Sequence, residues 1–350
     1  MRLTILTLHL VVALAAGAFV VVLGVTGGIM AFEPELDHVL HRDLWYVTPR
    51  STTKTLEELG AAASASQSGE RVNGYLLSTS PNLAYQVLFR GRSVFVDQYT
   101  GRVIGVRASG PDFLSRVHQL HLRLLIQNKA DSGKTIVKWT GVALLYLLAS
   151  GLYLWWPLKR GAIRSARGTR RWWFDLHNAA GIWSVVFVGL ATLTGLAIGF
   201  DDELIPVLYK VTRSAPVVMY ARVPPFTVKP AGAAIGPDRA VAIARATLPS
   251  ATPISVNMPP PTGVYGISAR YPEDLTPGGR SRIFVDQYSG AVLLAEGSRT
   301  APAGSRLITL NRALHTGDVL GLPSKIVMSL ASFAVVLQLI SGVIMWMRKP

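Results

Sequence analysis

Five of the seven histidines in this 350-residue chain directly follow a leucine, and four of these pairs accompany the apolar runs: Leu8-His9, Leu120-His121, Leu176-His177 and Leu314-His315. Each stands near one end of an apolar run. A histidine within or at the rim of a bilayer is costly and marks a function by default. A neutral imidazole offers one nitrogen to a metal, and two facing imidazoles inside a helix bundle can supply both axial ligands of a b-type haem. Any single ring of the four is as well explained by a hydrogen bond to a neighbour at the membrane interface. The pattern of four favours two haem b groups, each with bis-histidine ligation.

The elements that must position these rings follow from hydropathy. Half of the residues are hydrophobic and mean hydropathy is positive, which soluble domains rarely show. About 20 consecutive apolar residues cross the hydrocarbon core as a helix, and four stretches qualify: 6–32, 136–157, 176–200 and 323–347. His9 and His177 begin spans on one side, whereas His121 and His315 precede spans on the other. The pairs therefore lie at two depths. The expected fold class is a membrane protein, a four-transmembrane-helix bundle with two periplasmic α+β domains, internally duplicated. Its segments are span one (1–32), a first outer domain (33–133), span two (134–158), a basic loop (159–173), span three (174–200), a second outer domain (201–321), and span four with the end of the chain (322–350).

Met1-Arg2 ahead of an apolar run also fits a cleaved signal peptide, but the run exceeds the usual core of about 7–15 residues. The net charge of +15 is densest at Lys159, Arg160, Arg164, Arg167, Arg170 and Arg171, in a loop free of acids. The positive-inside rule places that loop in the cytoplasm together with Arg2 and Arg348-Lys349, so both termini are cytoplasmic and the long polar stretches periplasmic. The expected partner of this charge is membrane lipid and no nucleic acid. A chain without cysteine has no disulfide, thiolate metal site or covalent c-type haem attachment.

Sliding the chain by 177 − 9 = 168 positions superimposes His9 on His177, Thr26-Gly27 on Thr194-Gly195, Phe32 on Phe200 and Glu35-Leu36 on Glu203-Leu204. The heptapeptide Phe-Val-Asp-Gln-Tyr-[Thr/Ser]-Gly occurs twice, at 95–101 and 284–290. Such spacing signals an internal repeat. Turn residues and alternation predict helices near 56–63 and 237–248. They predict strands near 72–77, 84–89, 254–258, 264–271 and 282–285, and a hairpin closing each set at the heptapeptide. Spans two and four carry Ser150-Gly151 and Ser341-Gly342. In span one, Gly17, Gly24, Gly27 and Gly28 permit close helix approach. Two spans per half make the halves parallel, with a pseudo-twofold axis along the membrane normal. That axis faces His9 with His177 and His121 with His315.

Other residues near the pairs have two readings. His118 shares a helical face with His121, so either is the outer ligand, and the echo in His315 favours His121. A His-x-x-His zinc site lacks a third ligand at the usual spacing. Gly181 and Ala13, one turn past His177 and His9, leave room for a porphyrin edge or serve helix packing. Arg116, Arg123 and Arg312 near the outer pair, and Arg170 and Arg171 near the inner one, are either propionate partners or interfacial anchors. His38 and His41 read as solvated surface groups.

These residues resemble a known family. The two heptapeptide hairpins are similar to PepSY domains, and the four Leu-His-tagged spans resemble the PepSY-associated transmembrane family over nearly the whole chain. The resemblance implies PepSY-like outer domains and haem ligation by His9, His177, His121 and His315. It also implies a place in the bacterial inner membrane, because members include reductases of iron uptake that carry haem in the bundle and reduce ferric siderophores in the periplasm. Larger relatives carry a fused flavin or nicotinamide domain that this sequence lacks.

The expected reaction passes electrons from the cytoplasmic pair to the outer pair and on to a ferric chelate or siderophore resting between the two outer domains. The basic loop is too short for a nicotinamide or flavin site, and no G-x-G-x-x-G follows a strand. An external electron donor is needed, either quinol or a soluble flavoprotein. His9 to Phe32 spans roughly 35 Å of helix, so the outer rings must dip inward or a relay must intervene. One rival reading is a non-redox PepSY module that binds peptides or restrains a periplasmic protease. Another, passage of an anionic chelate, expects polar groups at mid-membrane where this chain is almost wholly apolar.

Overall fold

The apolar runs form four helices long and apolar enough to cross a membrane. The computed structural model describes residues 1–159, 161–217, 226, 228–260 and 263–348; Arg160 and Lys349 of the positive-inside argument lie outside them. In chain order, α1 (Arg2–Met30), α2 (Glu33–Leu40), α3 (Arg42–Trp45) and α4 (Leu56–Ser66) lead into β1 (Gly74–Leu76), β2 (Tyr85–Phe89), β3 (Arg92–Val96) and β4 (Val103–Ala108). Then come α5 (Phe113–Arg123), α6 (Ser132–Trp155), α7 (Arg170–Gly199), α8 (Asp201–Val211) and α9 (Pro237–Thr247). The chain continues through β5 (Thr252–Asn257), β6 (Val264–Arg270), β7 (Ser281–Asp286) and β8 (Val292–Glu296) to α10 (Ala303–Thr316) and α11 (Leu322–Met347).

One compact unit comprises Met1–Glu33, Pro111–Val207 and Leu310–Pro350. Within it α1 packs on α6 and α11, and α7 packs on the same two helices. The four spans thus make a bundle in which α1 and α7 stand diagonally opposed. Lipid tails are as apolar as leucine, so helices associate in a membrane through close packing of small residues and interhelical hydrogen bonds. A methyl built on Gly24 would strike the Val335 side chain and lie 2.7 Å from the Ser332 carbonyl oxygen, and one on Gly17 would lie 2.5 Å from Leu339. The Ser329 hydroxyl donates to the Gly28 carbonyl at 2.9 Å, tying α11 to α1. Mid-bundle, Val20, Val188, Ala331 and Val335 form a buried apolar plug.

The stretches 111–133 and 310–321, placed above with the outer domains, cluster with the spans. Helix α5 is the reason. Asp112 caps it by accepting from the Ser115 amide at 2.8 Å, and its buried Leu114 and Val117 pack it against α1 and α6. It ends on Leu124 and Leu125, both at positive φ (52° and 60°), an uncommon conformation for leucine that turns the chain into α6.

The second compact unit comprises Pro34–Gly110 and Leu208–Thr309. Here the two outer segments share one sheet. The eight strands form one antiparallel sheet in the order β4-β3-β2-β1-β5-β6-β7-β8. Strands β1 and β5, each otherwise an open edge, pair with each other through Gly74↔Asn257, Tyr75↔Val256 and Leu76↔Ser255. Unpaired edge strands leave amide and carbonyl groups unsatisfied, and this pairing removes two edges at once.

Helices α4 and α9 cover one face of the sheet over Leu59, Ala63, Val87, Val256, Ile267 and Ile283. The Asp238 carboxylate of α9 accepts from the Leu56 and Glu57 amides at the start of α4 (2.9 and 3.0 Å). Asp238→Ala is expected to cost about 1–2 kcal/mol, as loss of a helix cap does, and to lower the melting temperature of the purified protein. The heptapeptide also has a structural role. Asp97 and Asp286 each accept from the amide two residues on (2.9 and 2.7 Å), and Gly101 and Gly290 sit at φ 76° and 70° to close the turns. Gln98 and Gln287 donate to carbonyls of neighbouring loops, at Leu83 (3.2 Å) and Pro260 (3.1 Å).

Candidate functional site

Each of the four Leu-His rings rests on a Ser-Gly or Thr-Gly dipeptide of a different span. The hydroxyl meets the ring nitrogen, and the glycine makes room for the ring edge. His9 Nδ1 lies 2.8 Å from Ser150 Oγ, and His177 Nδ1 lies 3.0 Å from Ser341 Oγ. His121, carried by α5, bonds Thr26 at 2.9 Å. His315, carried by α10, bonds Thr194 at 3.2 Å. The four ring Cε1 atoms point at Gly151, Gly342, Gly27 and Gly195, where an added methyl would stand 3.4, 3.5, 3.1 and 2.8 Å away.

Local helix chemistry fixes which ring nitrogen carries the proton. Each hydroxyl donates its one hydrogen to the carbonyl four residues back: Ser150 to Tyr146 (2.7 Å), Ser341 to Leu337 (2.5 Å), Thr26 to Val22 (2.6 Å) and Thr194 to Leu190 (2.6 Å). With that hydrogen committed, the oxygen can only accept, so Nδ1–H of the imidazole is the donor. His177 and His315 also donate to the carbonyls of Gln338 and Ala191, both at 3.1 Å. Every ring is thereby left with a lone pair on Nε2, the form that ligates a metal.

The rings pair off by depth. His121 and His315 face each other with centroids 6.2 Å apart and planes inclined by 50°. His9 and His177, from the diagonal helices α1 and α7, line one largely apolar cavity together with Ala13, Gly17, Gly181 and Gln338. Thr26 follows His9, and Thr194 follows His177, by 17 residues (26 − 9; 194 − 177), roughly 26 Å of helix rise. The second pair thus dips inward of the helix ends, and the roughly 35 Å gap of the rim-to-rim reckoning shrinks by about a quarter.

A bis-histidine haem fits these residues. Iron held about 2 Å from each of two imidazole nitrogens places the ring centroids roughly 6 Å apart, as at His121 and His315. At the other level His9 and His177 line one cavity, and each can offer an unprotonated Nε2 to it.

Other expected site residues fall elsewhere. His118 Nδ1 pairs with the Glu33 carboxylate at 2.9 Å, which leaves His121 as the ring facing His315. Arg116 donates to the Pro111 carbonyl (3.0 Å) and Arg123 pairs with Asp131 (2.7 Å), so both are engaged near their own helix. Arg312 stands one turn before His315 and forms no ion pair among the described residues. Arg171 approaches the buried Asp175 at 3.5 Å. His38 and His41, read as solvated, are half-buried instead. His38 packs edge-on against Trp45 at 4.5 Å, and burial holds its pKa below the usual value despite Asp37 and Glu35. His41 sits 3.8 Å from Asp37.

Ser150, Ser341, Thr26 and Thr194 were not singled out as site residues in the sequence, although all four dipeptides were visible there. The signal was positional: the repeat places Thr26-Gly27 against Thr194-Gly195 and Ser150-Gly151 against Ser341-Gly342.

The family model described as the PepSY-associated TM region matches residues 6–349. No curated protein matches the chain.

Proposed function

The chain belongs to the PepSY-associated TM family, and from that premise we propose that this multi-pass membrane protein is a di-haem b-type reductase. It lies in the bacterial inner membrane with both termini cytoplasmic and the sheet unit periplasmic, its two halves being copies of one ancestral unit. It carries electrons from the His9/His177 level to the His121/His315 level and delivers them to a ferric chelate, most simply a ferric siderophore. The observation that carries this reading is the pair of facing, Nδ1-protonated imidazoles 6.2 Å apart.

Haem bound at each level supplies one-electron carriage. The residues of the chain do the rest. Four histidines offer Nε2, hydroxyls and main-chain carbonyls orient them, and the plug of Val20, Val188, Ala331 and Val335 keeps water from the path between levels. One electron converts ferric to ferrous iron, which hard oxygen chelators hold far less tightly, so the metal is released. The electron donor is external, quinol or a soluble flavoprotein.

Absorption spectra of the purified protein, oxidised and then reduced with dithionite, test the reading. A Soret band that shifts on reduction, with two haems per chain, is expected. His177→Ala should remove about half the haem. Protein free of haem after expression with ample haem supply would overturn the proposal.

A further inference from the structure

The His9 and His177 rings, which line one cavity, are not held alike. His177 Nδ1 has two acceptors, the Gln338 carbonyl at 3.1 Å and the Ser341 hydroxyl at 3.0 Å. Gln338 also returns a bond from its side-chain amide to the His177 carbonyl at 2.8 Å. His9 Nδ1 has the Ser150 hydroxyl at 2.8 Å and no second acceptor among the described residues. In other respects the two serines are matched. Both are buried, both precede a glycine that the ring edge faces, and both donate to the carbonyl four residues back.

We propose that Ser150 is the positioning residue that makes His9 a ligand, holding the proton on Nδ1 through a single hydroxyl contact, while on His177 the main chain shares that work with Ser341. Without an acceptor at Nδ1, His9 is free to carry its proton on Nε2 and to rotate about χ2. Either change removes the lone pair from the cavity. His177 without Ser341 still donates to Gln338, so its tautomer and orientation persist. Outer partners of this kind set a ligand's tautomer and basicity, and losing one weakens metal binding by roughly 10–100-fold. This asymmetry rests on the haem reading above, but the experiment separates the two.

Haem is titrated into the full-length Ser150→Ala and Ser341→Ala proteins and followed by absorbance and by electron paramagnetic resonance of the ferric state. Ser150→Ala should bind one of its two haems roughly 10–100-fold more weakly and show an altered low-spin signal for that haem. Ser341→Ala, in which His177 keeps the Gln338 acceptor, should lose several-fold less affinity than Ser150→Ala. The unaffected His121/His315 signal in the same sample reports correct folding. Should Ser150→Ala fail to accumulate, the isosteric variants Ser150→Thr and Ser150→Val separate hydroxyl from volume: threonine restores binding and valine does not. Equal losses for the two alanine variants, or wild-type binding in Ser150→Val, overturn the assignment while leaving the haem reading intact. A wild-type protein that takes up no haem overturns the earlier reading instead.

Discussion

His315→Ala should stop ferric reduction while leaving the His9/His177 level loaded and reducible by dithionite. The argument is geometric. His315 is one half of the facing pair at 6.2 Å, and with it gone His121 has no partner ring. His118 cannot take its place, because it sits on the same helix as His121 and is already paired with Glu33 at 2.9 Å. Haem content should fall by about half, and release of ferrous iron from a ferric chelate, read with a ferrous-specific dye, should fall by more than the roughly 10–100-fold that loss of a supporting partner costs. His118→Ala is the matched control. It removes a histidine three residues away and should leave both haem content and the reduction rate near those of the wild type. If His118→Ala abolished the second signal and His315→Ala spared it, the pairing drawn here would be wrong.

What the sequence made legible is what periodicity and composition encode. The four spans, α4, α9 and the strands around each heptapeptide follow from apolar runs, alternation and turn residues, because those signals are local. The joining of β1 to β5 was not legible, since two edge strands about 180 residues apart (255 − 76) carry no mark that they pair with each other rather than remain edges. Helices α5 and α10 were hidden for a different reason. Their apolar stripes are short and interrupted by His118, Arg123 and Arg312, so they read as polar connection until the bundle supplies a surface for them. The histidines were visible as site residues, but their depth was not. Depth depends on how far α5 folds back along α1, and Leu124 and Leu125 at positive φ are conformations no propensity would assign. The span-one glycines were assigned to helix packing, which holds for Gly17, Gly24 and Gly28 and is incomplete for Gly27, while Gly151, Gly195 and Gly342 were read only as marks of the repeat.

That division among glycines yields the second large effect. On Gly195, the nearest atoms to an added methyl all belong to the His315 ring: Cε1 at 2.8 Å, Nδ1 at 3.4 Å and Nε2 at 3.7 Å. Gly195→Ala therefore acts through that ring and not through a neighbouring helix. Because the Thr194 and Ala191 contacts (3.2 and 3.1 Å) hold the ring against this same helix, it must give up those bonds or its place opposite His121. Misplacement of about 1 Å costs reaction rates roughly 10²-fold, so Gly195→Ala is expected to lose or shift the second-level haem signal while the bundle stays folded. Gly24→Ala makes the contrast. Its methyl meets Val335 and the Ser332 carbonyl oxygen on α11, so the damage is overpacking of two helices, about 1–3 kcal/mol. That change should lower thermal stability and weaken both haem signals together. Gly342→Ala, whose methyl lies an ordinary 3.5 Å from His177, should be tolerated. A Gly195→Ala protein with two unchanged haem signals would mean that the space beside His315 is not set by the glycine, and the cradle would lose its steric half.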